Sequence, residues 1–235
     1  GVLAQRILAK NGVATTAMHP HCCGMPQLEQ GLMEDVASYA KIVAKAFRPQ
    51  VDAGQDIIAL TPSCALMMKF EWPLIVPDDE DVAALSKATR DITEYIVDIA
   101  KKEGLADGLS ALPEPVALHL ACHARAQNMG QKAAEMLRLI PEADLKVIER
   151  CSGHGGSWGV MEEYFETAIK VGRPVARQAK DFGARFIASE CPLAADHILQ
   201  GIERQLDDGQ SAPARSYHPV ELLALAYGLA PELNS

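Results

Sequence analysis

Two periodicities of hydrophobic residues alternate along this chain. Short apolar or β-branched runs bounded by Gly, Pro or polar residues predict strands, whereas longer segments with apolar residues three or four positions apart predict amphipathic helices. In residues 1–11, for example, Ala4, Ile7 and Leu8 fall on one helical face. Strands are predicted at 13–18, 57–60, 116–121, 145–149 and 185–189. Helices are predicted at 1–11, 32–48, 65–70, 79–87, 91–103, 124–140, 160–181, 193–207 and 218–229, with 73–77 irregular.

Strands that alternate with helices of a dozen or more residues indicate βαβ units and parallel sheets. We therefore predict an α/β fold of two duplicated βαβ-containing halves, related by a pseudo-two-fold axis, each with a small parallel sheet. Every cysteine follows a predicted strand and is expected in a loop. Since ligands bind at the carboxyl edge of parallel sheets, cysteines far apart in the sequence are expected to converge there.

The cysteines occur in two matched sets, which indicate an internal duplication. One set is Cys22, Cys23 and Cys64, and the other includes Cys151 and Cys191. The spacing from Cys22 to Cys151 is 129 residues, and that from Cys64 to Cys191 is 127 residues. Such agreement over a long span is typical of a repeat, and this repeat is built around thiols.

The second set has a further thiol, Cys122, at the end of its first predicted strand. Because Gly130 aligns with Gly1, the counterpart of Cys122 would lie about seven residues before Gly1. We therefore expect the natural chain to extend upstream and to carry a seventh cysteine there. The repeat predicts a truncated first half with inserted helices at 1–103, a linker at 104–115, and a second half with a C-terminal helix at 116–235.

Composition and charge argue against several classes of protein. Of the 235 residues, 49% are hydrophobic and 23% are charged, so an ordered globular fold is expected. A net charge of −9 without a basic stripe argues against nucleic acid as a partner. The longest apolar run, 220–230, is about half the ~20 residues that a membrane-spanning helix needs. Without a signal-peptide core, the six cysteines are expected to be reduced thiols of a cytoplasmic protein.

Six thiols at strand ends favour a metal or redox site over six buried small hydrophobes. Structural zinc usually takes ligands in closely spaced pairs, but Met67 and Ala194 stand where a CxxC motif would have its second cysteine. An iron–sulfur cluster accepts thiolates from several separate loops. We therefore rank an iron–sulfur cluster first and zinc second, and redox chemistry of the vicinal thiols third. The predicted metal ligands are Cys22, Cys23, Cys64, Cys122, Cys151 and Cys191.

Three residues beside the thiols are predicted to contribute to cofactor binding. Gly24 and Gly153 follow cysteine motifs, where the lack of a side chain lets the backbone approach a bulky cluster and direct N–H groups at it. His154 could ligate a metal, donate a hydrogen bond to cluster sulfur or carry protons, although a lone loop histidine is more often solvated.

Other basic residues near the thiols have two interpretations. Arg125 and Arg150 could place positive charge beside anionic thiolates, or they could form surface ion pairs with neighbouring glutamates. His119 and His197 are interpreted as ordinary residues of a strand or helix.

The cysteine motifs resemble those of a known family. They are Cys22-Cys23-Gly24-Met25-Pro26, Pro62-Ser63-Cys64, Cys122-His123-Ala124-Arg125-Ala126-Gln127-Asn128, Glu149-Arg150-Cys151-Ser152-Gly153-His154 and Cys191-Pro192-Leu193-Ala194. In this respect the chain is similar to the cysteine-rich CCG domains. These domains occur in the B subunit of heterodisulfide reductase and in the C subunit of anaerobic glycerol-3-phosphate dehydrogenase, and the likeness to the latter is closer.

The resemblance implies an electron-transfer role for the whole chain. In that family two such domains typically follow a ferredoxin-like domain with two 4Fe–4S clusters. The implied function is relay of electrons from a flavoprotein partner or other redox subunit to a quinone or disulfide acceptor. Peripheral association with the cytoplasmic membrane would go with a quinone acceptor. Ser152, Met67 and Ala194 replace cysteines of the fuller family pattern, which argues against the unusual noncubane clusters of heterodisulfide reductase.

Two other hypotheses from different classes stay open. One is a zinc- or thiol-dependent enzyme acting on a small substrate in the cleft between the halves. The other is a binding module whose metal only holds the fold.

Overall fold

A computed structural model of the protein describes residues 1–233 and contains two small parallel β-sheets, one in each half. The first sheet has two strands and the second has four. Every described strand pair is parallel, as expected where helices connect the neighbouring strands. The predicted α/β fold with small parallel sheets in two halves is confirmed.

In the first half, helices precede and separate two three-residue strands. The elements are α1 (Val2–Lys10), α2 (Met25–Glu29), α3 (Met33–Asp52), β1 (Ile57–Ala59), α4 (Pro62–Leu66), a π-helical turn (Met67–Glu71), α5 (Trp72–Ile75), α6 (Glu80–Ala88), β2 (Thr89–Asp91) and α7 (Ile92–Lys102). Helix α1 buries Ala4, Ile7 and Leu8, which is the face that the periodicity predicts.

In the second half, strands and helices alternate regularly. The elements are β3 (Val116–His119), α8 (Cys122–Ala126), α9 (Lys132–Leu137), β4 (Leu145–Ile148), a 3₁₀ turn (Trp158–Val160), α10 (Glu162–Asp181), β5 (Phe186–Ser189), α11 (Pro192–Glu203), β6 (Ser216–Tyr217), α12 (Pro219–Ala226) and a 3₁₀ turn (Pro231–Leu233). The strand order is β4-β3-β5-β6. Helix α12 begins at Pro219 as predicted, because proline suits the first helical turn.

The strand predicted at 13–18 does not form. Within the described chain, residues 14–19 take part in no backbone–backbone hydrogen bond. A β-branched run favours an extended backbone, but a strand also needs a neighbour that satisfies its N–H and C=O groups. The segment and β1 line one cavity and do not pair. Cys22 and Cys23 therefore follow an extended loop, not a strand.

The prediction of one continuous helix at 124–140 is wrong, because the segment forms two short helices, α8 and α9. Asn128 between them has a φ of 53°. That left-handed backbone conformation cannot be continued within a right-handed helix. The chain therefore turns between the two helices, and the apolar periodicity alone did not show the break.

The hydrophobic pattern also did not predict strands β2 and β6 or helix α5. Strand β2 has two buried polar residues, Thr89 and Asp91, so it lacks the apolar run by which buried strands are recognised. The stretch expected to be irregular, 73–77, is helical as far as Ile75. Pro73 lies near the start of α5, which directly continues the π-helical turn.

The largest hydrophobic core is built from both halves of the chain. Helices α1 and α7 of the first half bury apolar side chains in one cluster with β3, α9 and α12 of the second half. Separate clusters lie under α3 and α6, and between α10, α11 and their sheet. No helix in residues 1–233 is both long and apolar enough to cross a bilayer.

Candidate metal-binding thiol sites

The loop before α2 presents Cys22 and Cys23, and the glycine that follows them has a left-handed backbone conformation. Gly24 has a φ of +81°, and a Cβ there would lie 3.3 Å from the Tyr39 side chain. Only glycine adopts this conformation without strain. The Gly24 N–H donates a hydrogen bond to the Cys22 sulfur at 3.4 Å, which is the kind of N–H contact that stabilises a thiolate.

Cys64 lies in the first turn of α4, just past β1, and its thiol is hydrogen-bonded to that of Cys23. Sharing one proton with Cys23 lowers the pKa of Cys64 to about 6, and hydrogen bonds from Thr61 and Ser63 act in the same direction. The same contact, together with burial, raises the pKa of Cys23. The two thiols therefore titrate as one coupled pair, from which the first proton is lost more readily than from an isolated thiol.

The three thiols of this first set, Cys22, Cys23 and Cys64, line one cavity of about 910 Å³. His19 and His21 line the same cavity. The fold therefore brings together three of the six cysteines that were predicted as metal ligands. The carbonyl oxygen of Cys23 also accepts a hydrogen bond from the fully buried Trp72.

The second set consists of Cys122, Cys151 and Cys191. Cys122 begins α8, and Cys191 is the N-cap of α11, so both lie at helix N-termini. Burial raises the pKa of Cys191, and the nearby Cys122 adds to this. The Cys191 sulfur is 3.5 Å from Nε2 of His154. Cys151 is exposed, on the loop that leads to His154.

The ring of His154 is oriented by its own loop. Its Nδ1 lies 3.2 Å from the carbonyl oxygen of Gly156. Because a carbonyl oxygen only accepts, the proton is assigned to Nδ1, which leaves the Nε2 lone pair facing the Cys191 sulfur. Histidines that bind metals are commonly held in this way, with the other ring N–H donating to a carbonyl.

The loop after Cys151 leaves no room for a side chain at Gly153. A Cβ on Gly153, whose φ is +92°, would lie 2.1 Å from the carbonyl oxygen of Ala168 in α10. A Cβ on Gly156 would first meet the carboxylate of Glu29 in the first half, which is the end of an exposed and flexible side chain. The loop is therefore packed closely against α10 at Gly153.

His119 has a positioning role that the sequence did not show. Its Nε2 is 2.9 Å from the carbonyl oxygen of Arg150, and its Nδ1 is 3.0 Å from the Ser189 hydroxyl. The Ser189 oxygen also accepts the N–H of Cys191 at 3.3 Å. These hydrogen bonds connect the ends of β3, β4 and β5, next to Cys151 and Cys191. The sequence offered one sign of this role, which is a polar residue within an otherwise apolar predicted strand.

The two halves meet where α4, which carries Cys64, packs against α8, which begins at Cys122. Gln127, just after α8, donates from Nε2 to the carbonyl oxygen of Pro62 at 3.3 Å and to Asp91 at 3.2 Å. Its Oε1 accepts from Lys69, which also pairs with Glu94. These buried polar contacts fix the helix that carries Cys64 relative to the one that carries Cys122.

Two expectations about cysteines change, and the structure also bears on both arginines. Cys64 and Cys122 lie in first helical turns, not in loops, because their helices begin two or three residues earlier than the periodicity showed. Arg125 forms an ion pair with Glu149 at 3.8 Å, so the ion-pair interpretation holds for this arginine. Arg150 contributes its carbonyl oxygen to His119.

The donor chemistry of the first half fits a metal cluster. Across residues 1–233, no three Cys, His, Asp or Glu side chains converge closely enough to hold a single ion. An iron–sulfur cluster is larger than one ion and is bound by thiolates. The first thiol set offers thiol donors, one with a lowered pKa, around a cavity of about 910 Å³. Both the donor chemistry and the space fit a cluster.

Comparisons with known proteins agree with the duplication. The model of the cysteine-rich domain family CCG matches residues 1–69 and 116–193, so each half contains one match and one thiol set. Together the matches cover more than half of the chain.

Several named proteins are also similar to this chain. It is 28% identical over 210 residues to the C subunit of anaerobic glycerol-3-phosphate dehydrogenase of Escherichia coli (strain K12), with 87% of this chain and 49% of the relative covered. It is 26% identical over 238 residues to the D subunit of dihydromethanophenazine:CoB–CoM heterodisulfide reductase of Methanosarcina acetivorans, with 97% and 55% covered. It is 27% identical over 147 residues to lactate utilization protein A of Oceanobacillus iheyensis, with 59% and 57% covered.

The chain spans about half the length of these curated relatives. The resemblance that the motifs indicated is confirmed by the two matches and by the relatives. The chain belongs to the cysteine-rich CCG domain family.

Proposed function

We propose that this chain is an iron–sulfur electron-transfer domain of an oxidoreductase. The observation that carries the proposal is the convergence of Cys22, Cys23 and Cys64 on one cavity, with a corresponding thiol set in the second half. Two relatives are named as subunits of a dehydrogenase and of a heterodisulfide reductase. Those names support a role within a redox complex.

In this proposal each thiol set contributes ligands to a cluster of the 4Fe–4S type. Cys22, Cys23 and Cys64 act in the first half. Cys122, Cys151 and Cys191 act in the second, with His154 as a further ligand through its free Nε2. When bound, such a cluster accepts and passes on single electrons.

The surrounding residues prepare the thiols for this role. The contact with Cys23 lowers the pKa of Cys64 to about 6, which favours the thiolate form that binds metal. Cys23 gives up its proton when metal binds, since thiolates are the ligands. Gly24 and Gly153 adopt positive φ values beside the thiols, and the Gly24 N–H donates a hydrogen bond to the Cys22 sulfur.

The partners and the location follow from the same role. We propose a flavoprotein or other redox subunit as electron donor, and a quinone or a disulfide as acceptor. A cytoplasmic protein that docks peripherally on the membrane would reach either acceptor. The two repeats, 1–103 and 116–235, would then act as the units that carry the electron between partners.

Anaerobic purification followed by iron and sulfide analysis and EPR spectroscopy tests the proposal. We expect both elements in the wild-type protein, and a loss of about half of them in Cys64→Ser if each half holds one cluster. Met18→Ser is the matched control, because Met18 lines the same cavity with a thioether, not a thiolate. It should keep the full iron content. Protein without iron and sulfide would overturn the proposal.

A zinc- or thiol-dependent enzyme is the second candidate, and the lowered pKa of Cys64 favours it. A thiolate beside a cavity is the arrangement of a nucleophilic cysteine. This candidate predicts stoichiometric zinc or a metal-free protein after anaerobic purification. It also predicts an activity that survives air and is lost in Cys64→Ser.

A further inference from the structure

An open groove lies between α2, the first turns of α3, and α5. It has a volume of about 530 Å³, and its apolar lining residues are Leu28, Met33, Ala37, Leu74 and Ile75. Leu74 is 77% exposed, more than any other large hydrophobic residue that the structure describes, and Met33 is 45% exposed. Exposed apolar residues are common singly, whereas several of them around one groove mark an interaction surface. We call this surface the α3–α5 groove.

The duplication shows which residues of the second half correspond to the groove. Helices α3 and α10 both contain 20 residues and begin at positions 33 and 162, so Glu166 corresponds to Ala37. The helical segments that follow β1 and β5 both begin with a proline, at positions 62 and 192. Arg204, at the end of the second segment, therefore corresponds to Leu74 and Ile75, at the end of the first.

The second half closes the corresponding place with its own charged side chains. Nη1 of Arg204 donates to both carboxylate oxygens of Glu166 at 2.7 Å, and the guanidinium lies 5.1 Å from the centre of the Phe165 ring. In the first half, Ala37 and Leu74 stand where this ion pair would be. An exposed ion pair is satisfied without a partner, whereas exposed apolar side chains gain free energy when another surface covers them.

The rim of the groove is acidic. Glu34 and Glu71 line it, and there is no lysine or arginine among the described residues that do so. Within residues 1–233, neither carboxylate takes part in an ion pair. A partner with arginine or lysine would therefore supply the charge that Arg204 supplies in the second half. Anionic lipid headgroups, by contrast, would be repelled by the two carboxylates.

The groove adjoins the second thiol set. Burial lowers the pKa of His123, and the nearby carboxylates of Glu29 and Glu71 act in the opposite direction. Both carboxylates therefore lie near the residue that follows Cys122. Glu29 also lies beside Gly156, in the loop between β4 and α10. A protein bound in the groove would thus lie next to the thiols of the second half.

We propose that the α3–α5 groove binds an α-helix of a partner protein, whose apolar side chains fill the groove and whose arginine or lysine side chains pair with Glu34 and Glu71. A helix fits because the groove is bounded by helices and neither β1 nor β2 lines it. The apolar contacts supply most of the affinity, and the ion pairs fix the orientation of the bound helix. The proposal goes beyond the proposed function and does not depend on it, since none of the six cysteines lines the groove.

A selection from a peptide library tests the proposal. The bait is the protein expressed from its complete gene and purified without oxygen. The probe is a phage-displayed library of random peptides about 20 residues long, which is enough to form a helix. The wild-type protein should enrich peptides that have apolar residues three or four positions apart and arginine or lysine beside them. Peptides selected on Leu74→Asp should lack this pattern.

Fluorescence anisotropy of one enriched peptide then measures the apolar and the charged contacts separately. The peptide should bind Leu74→Asp, and the double variant Glu34→Lys with Glu71→Lys, at least about tenfold more weakly than the wild type. A peptide whose basic residues are replaced by glutamate should bind the double variant better than the wild type, which a misfolded variant could not show. Leu139→Asp is the matched control, because Leu139 is 40% exposed but lies outside the groove. It should bind the peptide as the wild type does.

The proposal would be overturned by a selection without the basic and apolar pattern, or by peptides that bind Leu74→Asp as tightly as the wild type. Vesicles of phosphatidylcholine and phosphatidylglycerol that bind the wild type but not Leu74→Asp would instead assign the groove to a membrane surface. A dimer in light scattering that Leu74→Asp dissociates would assign it to a second copy of this chain. Iron and sulfide are measured separately, so a failed cluster assay leaves these results unaffected.

Discussion

Nε1 of Trp72 donates a hydrogen bond to the carbonyl oxygen of Cys23 at 3.1 Å. Trp72 belongs to α5, which follows Cys64 through the π-helical turn, so this contact ties the loop of Cys22 and Cys23 to the element that carries Cys64. The indole is fully buried. The relative position of the thiols in the first set thus depends on a residue outside every cysteine motif.

Trp72→Phe should lower both stability and metal loading. The change removes a buried hydrogen bond and leaves a small void, which together cost about 1–3 kcal/mol in the free energy of unfolding. Urea unfolding measures this, and iron analysis shows the effect on the thiol loop. The chain's other tryptophan, Trp158, is 38% exposed, so Trp158→Phe is the control and should change stability by less. Equal effects of the two variants would contradict the positioning role.

Gln127→Ala should loosen the interface between the halves. The variant leaves a buried oxygen of Asp91 and the carbonyl of Pro62 with one partner fewer, and buried polar groups without partners cost about 1–3 kcal/mol each. Differential scanning calorimetry should show a lower Tm. Gln131→Ala is the control, because Gln131 bonds Glu149 at the surface. A Tm as high in Gln127→Ala as in Gln131→Ala would show that the network does not hold the halves.

Gly153→Ala should be among the most damaging single-methyl changes in the protein. Its Cβ would overlap backbone atoms of α10, and the φ of +92° disfavours any side chain. We expect a loss of about 3–5 kcal/mol or failure to fold. Gly183→Ala is the matched control, since Gly183 has a φ of +73° but open space around it. That change should cost only about 1–2 kcal/mol from backbone strain. Urea unfolding of both variants separates the stability lost to steric overlap from the stability lost to backbone strain.

Stability should fall in acid partly through His119. Burial lowers the pKa of His119 from 6.5 to about 4 in the folded chain. The unfolded chain therefore takes up this proton at a higher pH, so the stability is fully present above pH 6.5 and is lost as the pH falls towards 4. The group's contribution is on the order of 3 kcal/mol.

Urea unfolding of the wild type and of His119→Gln across pH 4–9 measures this contribution. The variant should be less stable above pH 7, because it loses the contacts to Ser189 and Arg150, but its stability should fall less between pH 6.5 and 4. The difference between the two proteins should be constant above pH 7.5, which serves as the internal control. Parallel curves down to pH 4 would assign the acid sensitivity to other groups.

Much of the fold followed from local patterns, and the failures have specific causes. The buried face of α1 and the start of α12 at Pro219 are properties of short windows, so periodicity and proline position were enough. The segment 13–18 has the composition of a strand, but a strand exists only with a partner. The break at Asn128 depends on a left-handed backbone conformation, and the short strand β2 contains buried polar residues; a hydrophobic pattern shows neither.

The sequence by itself determined that two thiol sets recur in a duplicated α/β chain, because spacing, residue type and the alternation of strands with helices are read directly along the chain. Only the tertiary structure decided how those thiols are held. The sharing of a proton between Cys23 and Cys64, the orientation of His154 towards Cys191 and the support from Trp72 and Gln127 join residues far apart in the chain. Such contacts depend on distances in space, which are fixed only when each half folds and, for Gln127, when the two halves pack together.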